Sequence, residues 1–442
     1  MRFVFRLAVP FLLSITVQQT SIAANFKDSH DDIPAGYSGP AFKLSQNYPE
    51  TLPSKQEFPW KTVDFKTQPD KYLSTVLAYC FEGNTDCDFY VEKNTKGRKW
   101  YGAPWLHVGP SGREFIHGMT SERSARKGEL SYQQADSFQN WAVGFYNEFG
   151  GYTFGKVWKD PNKPDISQAK FPEGTVAFKL LFTATPLEQA PFLKDSVAWT
   201  ANIYDLKPGE APPSPPKDLP RKPQLLRLLQ IDVAVKDSNA KETGWVFGTF
   251  VYNKDAQGKS PWERMVPVGL MYGNDPTLTK AKIQIGEQLK ETIISKNCRP
   301  YQHLGWAGRL NGPVDNPNSS CLSCHSTAQW WSKESSIPKD MKPPAEIMPT
   351  YTVSLPGQEK PVQVEYDSRY WMDWFRNVPA GVPFNRGLPY LSQDAASLDY
   401  SLQLAAGVFA QYAATHPMEA DHMDAPPGRF FDFTNFFNRE GH

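Results

Sequence analysis

Cysteine is scarce in this sequence, with five in 442 residues, and histidine numbers only eight. Outside one short motif the cysteines stand singly, so the second ligand pair that a zinc ribbon requires is missing. Net charge is missing too: 47 Lys and Arg balance 47 Asp and Glu. That balance argues against a nucleic-acid partner, which selects a basic surface. No later stretch approaches the roughly 18–20 uninterrupted apolar residues of a membrane-spanning helix, so no transmembrane segment is expected. No internal repeat is found.

Against that scarcity, "SSCLSCHSTAQWW" at 319–331 stands out. It sets Cys321 and Cys324 around two residues, adds His325 at once, and ends in Trp330 and Trp331. With this composition a C-x-x-C-H string arises by chance about once in a thousand such chains, so its order is read as chemical.

The chain opens with Arg2 and Arg6, an apolar run from Leu7 to Val17, and the small residues Ser21, Ala23 and Ala24. This order predicts a secretory signal peptide over residues 1–24, cleaved after Ala23 or Ala24. Its removal takes the net charge from 0 to −2. The expected mature protein is soluble, exported, and most simply periplasmic, in a compartment that permits disulfides. In "CFEGNTDC" the residues Gly83, Asn84 and Asp86 favour a reversal that could pair Cys80 with Cys87. Cys298 is then left over, as a buried thiol.

After cleavage at Ala24, 418 residues remain, enough for two or three packed units. Thirty-nine prolines and 14% aromatic residues suggest a loop-rich, aromatic-packed molecule. An irregular N-terminal arm is expected over 25–105. Period-two alternation then marks strands: Val176, Phe178, Leu180 and Phe182 share a face, as do Leu229, Ile231, Val233 and Val235. Val246, Phe250 and Tyr252 around Gly248 repeat the pattern, and residues 106–276 are expected to form an antiparallel sheet or sandwich. The proline-dense run 207–223 reads as a surface loop. From 277 to 442 the pattern turns helical in "AKIQIGEQLKETIISK", "DSRYWMDWFRNV" and "SLDYSLQLAAGVFAQYAAT". The expected class is therefore α+β, a β-rich domain followed by a mainly helical one that carries the motif.

A c-type haem needs two thiols about one helical turn apart to add across its vinyl groups, and an imidazole directly after them for the iron. Cys321, Cys324 and His325 meet that demand. A thioredoxin-like dithiol would need a βαβ setting that the flanks lack, and a plain disulfide would leave His325 idle. Through "CLSCH" and the helical patterns around it, residues 280–442 resemble the monohaem c-type cytochrome family. The resemblance implies a small helical pocket, one covalent haem c, His325 as proximal iron ligand, and electron transfer with a redox partner protein or a small-molecule donor or acceptor.

The sixth iron ligand separates a carrier from a small-molecule site. Met348, in the proline-flanked "PPAEIMPTY", is the first choice because it resembles the methionine loop of small c-type cytochromes; Met372 in "RYWMDWF" is the runner-up, and an open site the third option. Arg309 is a candidate partner for a haem propionate, with a surface arginine as the plain alternative. The cluster "GPSGREFIHGMTSER" gathers Arg113, Glu114, His117, Glu122 and Arg123. Folded over the distal face it would supply acid–base groups, although a solvated, salt-bridged loop is the preferred reading. The leading function is an exported monohaem electron carrier. Its rivals are a haem-dependent peroxidase or oxygenase with a substrate pocket in the β domain, and a haem-based ligand sensor.

Overall fold

The computed structural model describes residues 26, 28–43, 45–54, 57–107, 112–207, 209–210, 219–297, 304–337, 349, 351–358 and 360–416. At its centre lies an eight-stranded antiparallel sheet. The strands are β1 (Thr120–Ala125), β2 (Phe138–Tyr146), β3 (Val176–Thr183), β4 (Ala198–Tyr204), β5 (Arg221–Lys236), β6 (Trp245–Tyr252), β7 (Met265–Met271) and β8 (Thr292–Ile294). Neighbours run β1-β2-β3-β5-β6-β7-β8, and β4 pairs with the first half of the long β5. Small ladders join β9 (Gln329–Trp331) to β12 (Ala395–Ser397), and β10 (Thr352–Val353) to β11 (Val362–Gln363). The helices are α1 (Pro69–Phe81), α2 (Glu148–Val157), α3 (Lys280–Gln284), α4 (Cys321–His325), α5 (Arg369–Met372) and α6 (Leu402–Thr415).

Alternation along each strand gives the sheet two buried faces. On one face Phe178, Leu180, Ile231, Val233, Val246 and Phe250 pack with Leu73, Val76 and Leu77 of α1. Pro69 starts that helix, and its buried residues fall at three- and four-residue spacing. Gly248 permits the close approach, since a Cβ there would lie 2.2 Å from Leu73 Cδ2. On the opposite face Tyr146, Trp245 and Phe247 share a core with Leu322, Trp330, Trp331, Leu404 and Phe409. The segment carrying Cys321–His325 is thus laid directly on the sheet. A third core holds Trp306, Trp371, Met372, Trp374 and Phe375.

This arrangement overturns the α+β assignment with a mainly helical cytochrome-like domain over 277–442. Among the described residues of that span the helices are α3 to α6, and only α6 is longer than five residues, apart from single 3-10 turns. The physical causes are local. The apolar string after Thr277 stops being helical at Gln284, because Gly286 takes a φ of +102°; only Ile293 and Ile294 at its end extend the sheet, with Ile293 opposite Leu270. "DSRYWMDWF" breaks into α5 and a 3-10 turn, Asp373–Phe375, so its aromatic residues can enter the third core. The string beginning "SLDY" forms a helix only from Leu402.

Candidate functional site

Local chemistry makes the motif a one-turn helix. Ser320 caps α4: its hydroxyl accepts the Ser323 N–H at 3.0 Å, and the Ser323 hydroxyl accepts the Ser320 N–H at 2.8 Å. Ser320 in turn donates to Asn274 Oδ1 at 2.7 Å, tying the cap to the sheet side of the molecule. Cys321 and Cys324 therefore lie one turn apart on the same face, with His325 four residues beyond Cys321.

All three side chains line one cleft between the sheet and α6. The cleft encloses about 1550 Å³ of space between atoms, its open mouth included. Small residues line part of it, among larger ones such as Trp105, Tyr146 and Phe247. Gly144, Ala177 and Ala234 lie on the sheet side, and Ala406 and Ala410 project one turn apart from α6. A Cβ on Gly144 would fall 2.2 Å from Gln403 Nε2. On that amide the other atom, Oε1, is buried with no hydrogen-bond partner.

His325 is held by its backbone surroundings. Its Nδ1 lies 2.9 Å from the Tyr400 carbonyl oxygen. A carbonyl only accepts, so Nδ1 carries the proton and Nε2 keeps the lone pair that a metal ligand needs. Burial lowers the pKa of His325 to about 4, so the ring is neutral at pH 7. Burial also pushes the Cys324 thiol up to about 12 and Cys321 well above the ordinary thiol value. Dithiol exchange needs a thiolate; these thiols are held protonated. Thr249 lies 3.9 Å from Cys321 Sγ and gives its own proton to Asp232 at 2.9 Å, which leaves its oxygen to accept from the thiol.

A polar row crosses the sheet under the cleft. Thr249, Asp232, Lys179 and Gly144 are successive cross-strand neighbours on β6, β5, β3 and β2. Lys179 pairs with Asp232 at 3.3 Å. Gln230 Nε2 joins Asp232 to Asp315 at 2.8 and 3.2 Å. Glu122, on β1, also lines the cleft. Burial raises its pKa to about 7, opposed by Lys179 and assisted by Asp315 and Asp232.

The other expected residues are placed elsewhere or not described. Arg309 is fully buried and does not line the cleft. Its guanidinium donates to the carbonyls of Asn274, Leu278, Asp275 and Trp306 at 2.7–3.2 Å and lies over the Phe375 ring. Met372 sits in the third core, away from the cleft lining. Met348 lies outside the described residues, as do Cys298 and residues 1–25. The cluster around His117 is split: Glu122 and Arg123, the latter paired with Glu129, line the cleft, whereas Arg113, Glu114 and His117 are buried outside its lining, with Arg113 donating to the Gly118 carbonyl at 2.8 Å. Glu114 is buried and accepts four backbone N–H groups, from Ile116, His117, Met119 and Asn202. The His117 ring stacks on Trp199 at 4.1 Å. Cys80 and Cys87 are free thiols: Cys80 points into the first core, while Cys87 donates within its own turn, to Gly83 at 3.3 Å.

Two contributors were open to detection in the sequence. Lys179 and Asp232 interrupt otherwise apolar strands, and a charge in a buried strand marks a site. Tyr400 gave no signal, because only its carbonyl acts on His325.

Protein-family models, curated proteins and solved structures give no match to this chain. Among the described residues no helix is long and apolar enough to cross a membrane. The donor set itself fits a covalently bound haem: two protonated thiols one turn apart and a neutral imidazole with a fixed tautomer, all lining one largely apolar cleft.

Proposed function

We propose that this chain is an exported monohaem c-type cytochrome that transfers single electrons. Cys321 and Cys324 would hold the haem through thioether bonds, and His325 would supply a ligand to its iron. Bound there, the group would supply a one-electron iron couple. The observation that carries this reading is the convergence of both thiols and the His325 ring on one cleft.

The chain's own residues prepare the rest. The Tyr400 carbonyl fixes the imidazole in the tautomer that can ligate. Gly144, Ala177, Ala234, Ala406 and Ala410 leave room in the cleft, and Phe247, 4.7 Å from the His325 ring, would help to keep water from it. An apolar shell of this kind sets solvent access, and with it the potential.

A second reading, a haem-dependent oxidoreductase acting on a small molecule, is favoured by Glu122. This carboxyl titrates near neutral pH in the same cleft as Lys179 and the unpaired Gln403 oxygen. General acid–base chemistry works best with such a group.

Exported protein made together with haem-attachment machinery should retain haem through denaturing electrophoresis. Absence of covalent haem would end the cytochrome reading. A low-spin spectrum unaffected by carbon monoxide supports the carrier. A carbon-monoxide-sensitive spectrum, with peroxide reactivity whose pH inflection near 7 is lost in Glu122→Gln, supports the oxidoreductase.

A further inference from the structure

The carbonyl that meets His325 belongs to a strained corner. Asp399 and Tyr400 adopt consecutive left-handed conformations, with φ of 48° and 70°, which residues other than glycine enter rarely. Such strain persists only where the surroundings over-determine it. Here the Asp399 carboxylate, 2% exposed, is gripped from three directions. Lys236 Nζ, at the end of β5, donates to both oxygens at 2.9 and 3.0 Å. Trp245 Nε1, at the start of β6, donates at 3.1 Å, and the Phe171 N–H at 2.8 Å. The Asp399 N–H donates to the Ser397 hydroxyl at 3.0 Å. Just beyond the corner, the Ser401 hydroxyl caps α6 through the Leu404 N–H at 3.1 Å and meets the Tyr146 hydroxyl at 2.8 Å.

We propose that Asp399 is a positioning residue for the proximal histidine: pinned by Lys236, Trp245 and Phe171, it holds the left-handed corner that aims the Tyr400 carbonyl at Nδ1 of His325. The inference rests on the haem reading and adds to it a determinant of potential. A hydrogen bond from Nδ1–H to a carbonyl makes the imidazole a stronger electron donor, which favours ferric iron and lowers the potential. Asp399 touches neither the ring nor the cleft lining; it acts through two backbone torsions.

The test uses the full-length haem-loaded protein. Asp399→Ala should raise the reduction potential by about 59 mV, the equivalent of a tenfold shift in the one-electron equilibrium, and should shift the hyperfine-displaced ring-proton resonances of His325 in the ferric protein. Asp399→Asn keeps an acceptor oxygen for Trp245 or Phe171, so it should recover part of both changes. If Asp399→Ala does not fold, Trp245→Phe removes one clamp while keeping an aromatic ring, and should move both readouts the same way by a smaller amount. A folded Asp399→Ala or Trp245→Phe protein with wild-type potential and wild-type His325 resonances would overturn the positioning role and leave the haem reading intact. A wild-type protein without covalent haem would overturn both.

Discussion

Lowering the pH from 7 to 4.5 protonates an ordinary histidine but should leave His117 neutral. Its ring is 6% exposed and lies flat on Trp199, with 5° between the planes. Burial lowers its pKa from 6.5 to about 3. Because the folded-state value is the depressed one, the unfolded chain binds the extra proton. The stability present above pH 6.5 is therefore lost progressively as pH falls toward 3. With those two values the loss between pH 7 and pH 4.5 is about 2.5 kcal/mol. Urea unfolding at both pH values, on the wild type and on His117→Phe, isolates it. Phenylalanine keeps a flat ring against Trp199 and cannot titrate, while the other ionisable groups change alike in both proteins. The variant should lose about 2.5 kcal/mol less than the wild type. Equal losses would mean that His117 takes up its proton in the folded state and is reachable, as an acid–base group would have to be.

Replacing both Cys321 and Cys324 by alanine should abolish haem staining on denaturing gels, whereas either single variant should retain one thioether and a weaker stain. Gly144→Phe should fill the cleft. Overpacking of this kind costs about 1–3 kcal/mol, and the variant should keep the circular dichroism of the sheet while its haem content falls. Arg309→Met leaves four buried carbonyls without their donor and should cost about 3–5 kcal/mol in urea unfolding. The same variant should leave the visible spectrum unchanged, because Arg309 lies outside the cleft. A changed spectrum would instead return Arg309 to the haem.

The strands were legible because alternation reports a half-buried surface directly: the faces read around Val176, Ile231 and Val246 are those packed against α1. The region after Thr277 was misread because its apolar spacing suits a helix, while Gly286 and the free edge of β7 decide otherwise, and the edge is not visible in sequence. Pro223 misled in the other direction. Read as the last residue of the loop over 207–223, it sits within β5 opposite Asn202. In the site, the thiols and His325 were marked by their order alone. Arg309 was recognised as unusual for the wrong reason, since a buried guanidinium can be satisfied by backbone carbonyls. The Asp399–Tyr400 corner was invisible because it works through torsions and a carbonyl, which every residue possesses.

The cleft's two walls come from distant parts of the chain, and its α6 side, from Leu402 onward, follows the motif. Once α6 has docked through Ser401 and Tyr146, the thiols face a cleft between the sheet and that helix. A bulky attachment enzyme would have to reach Cys321 and Cys324 before that docking. On the proposed haem reading, addition of the group would then precede the docking of α6.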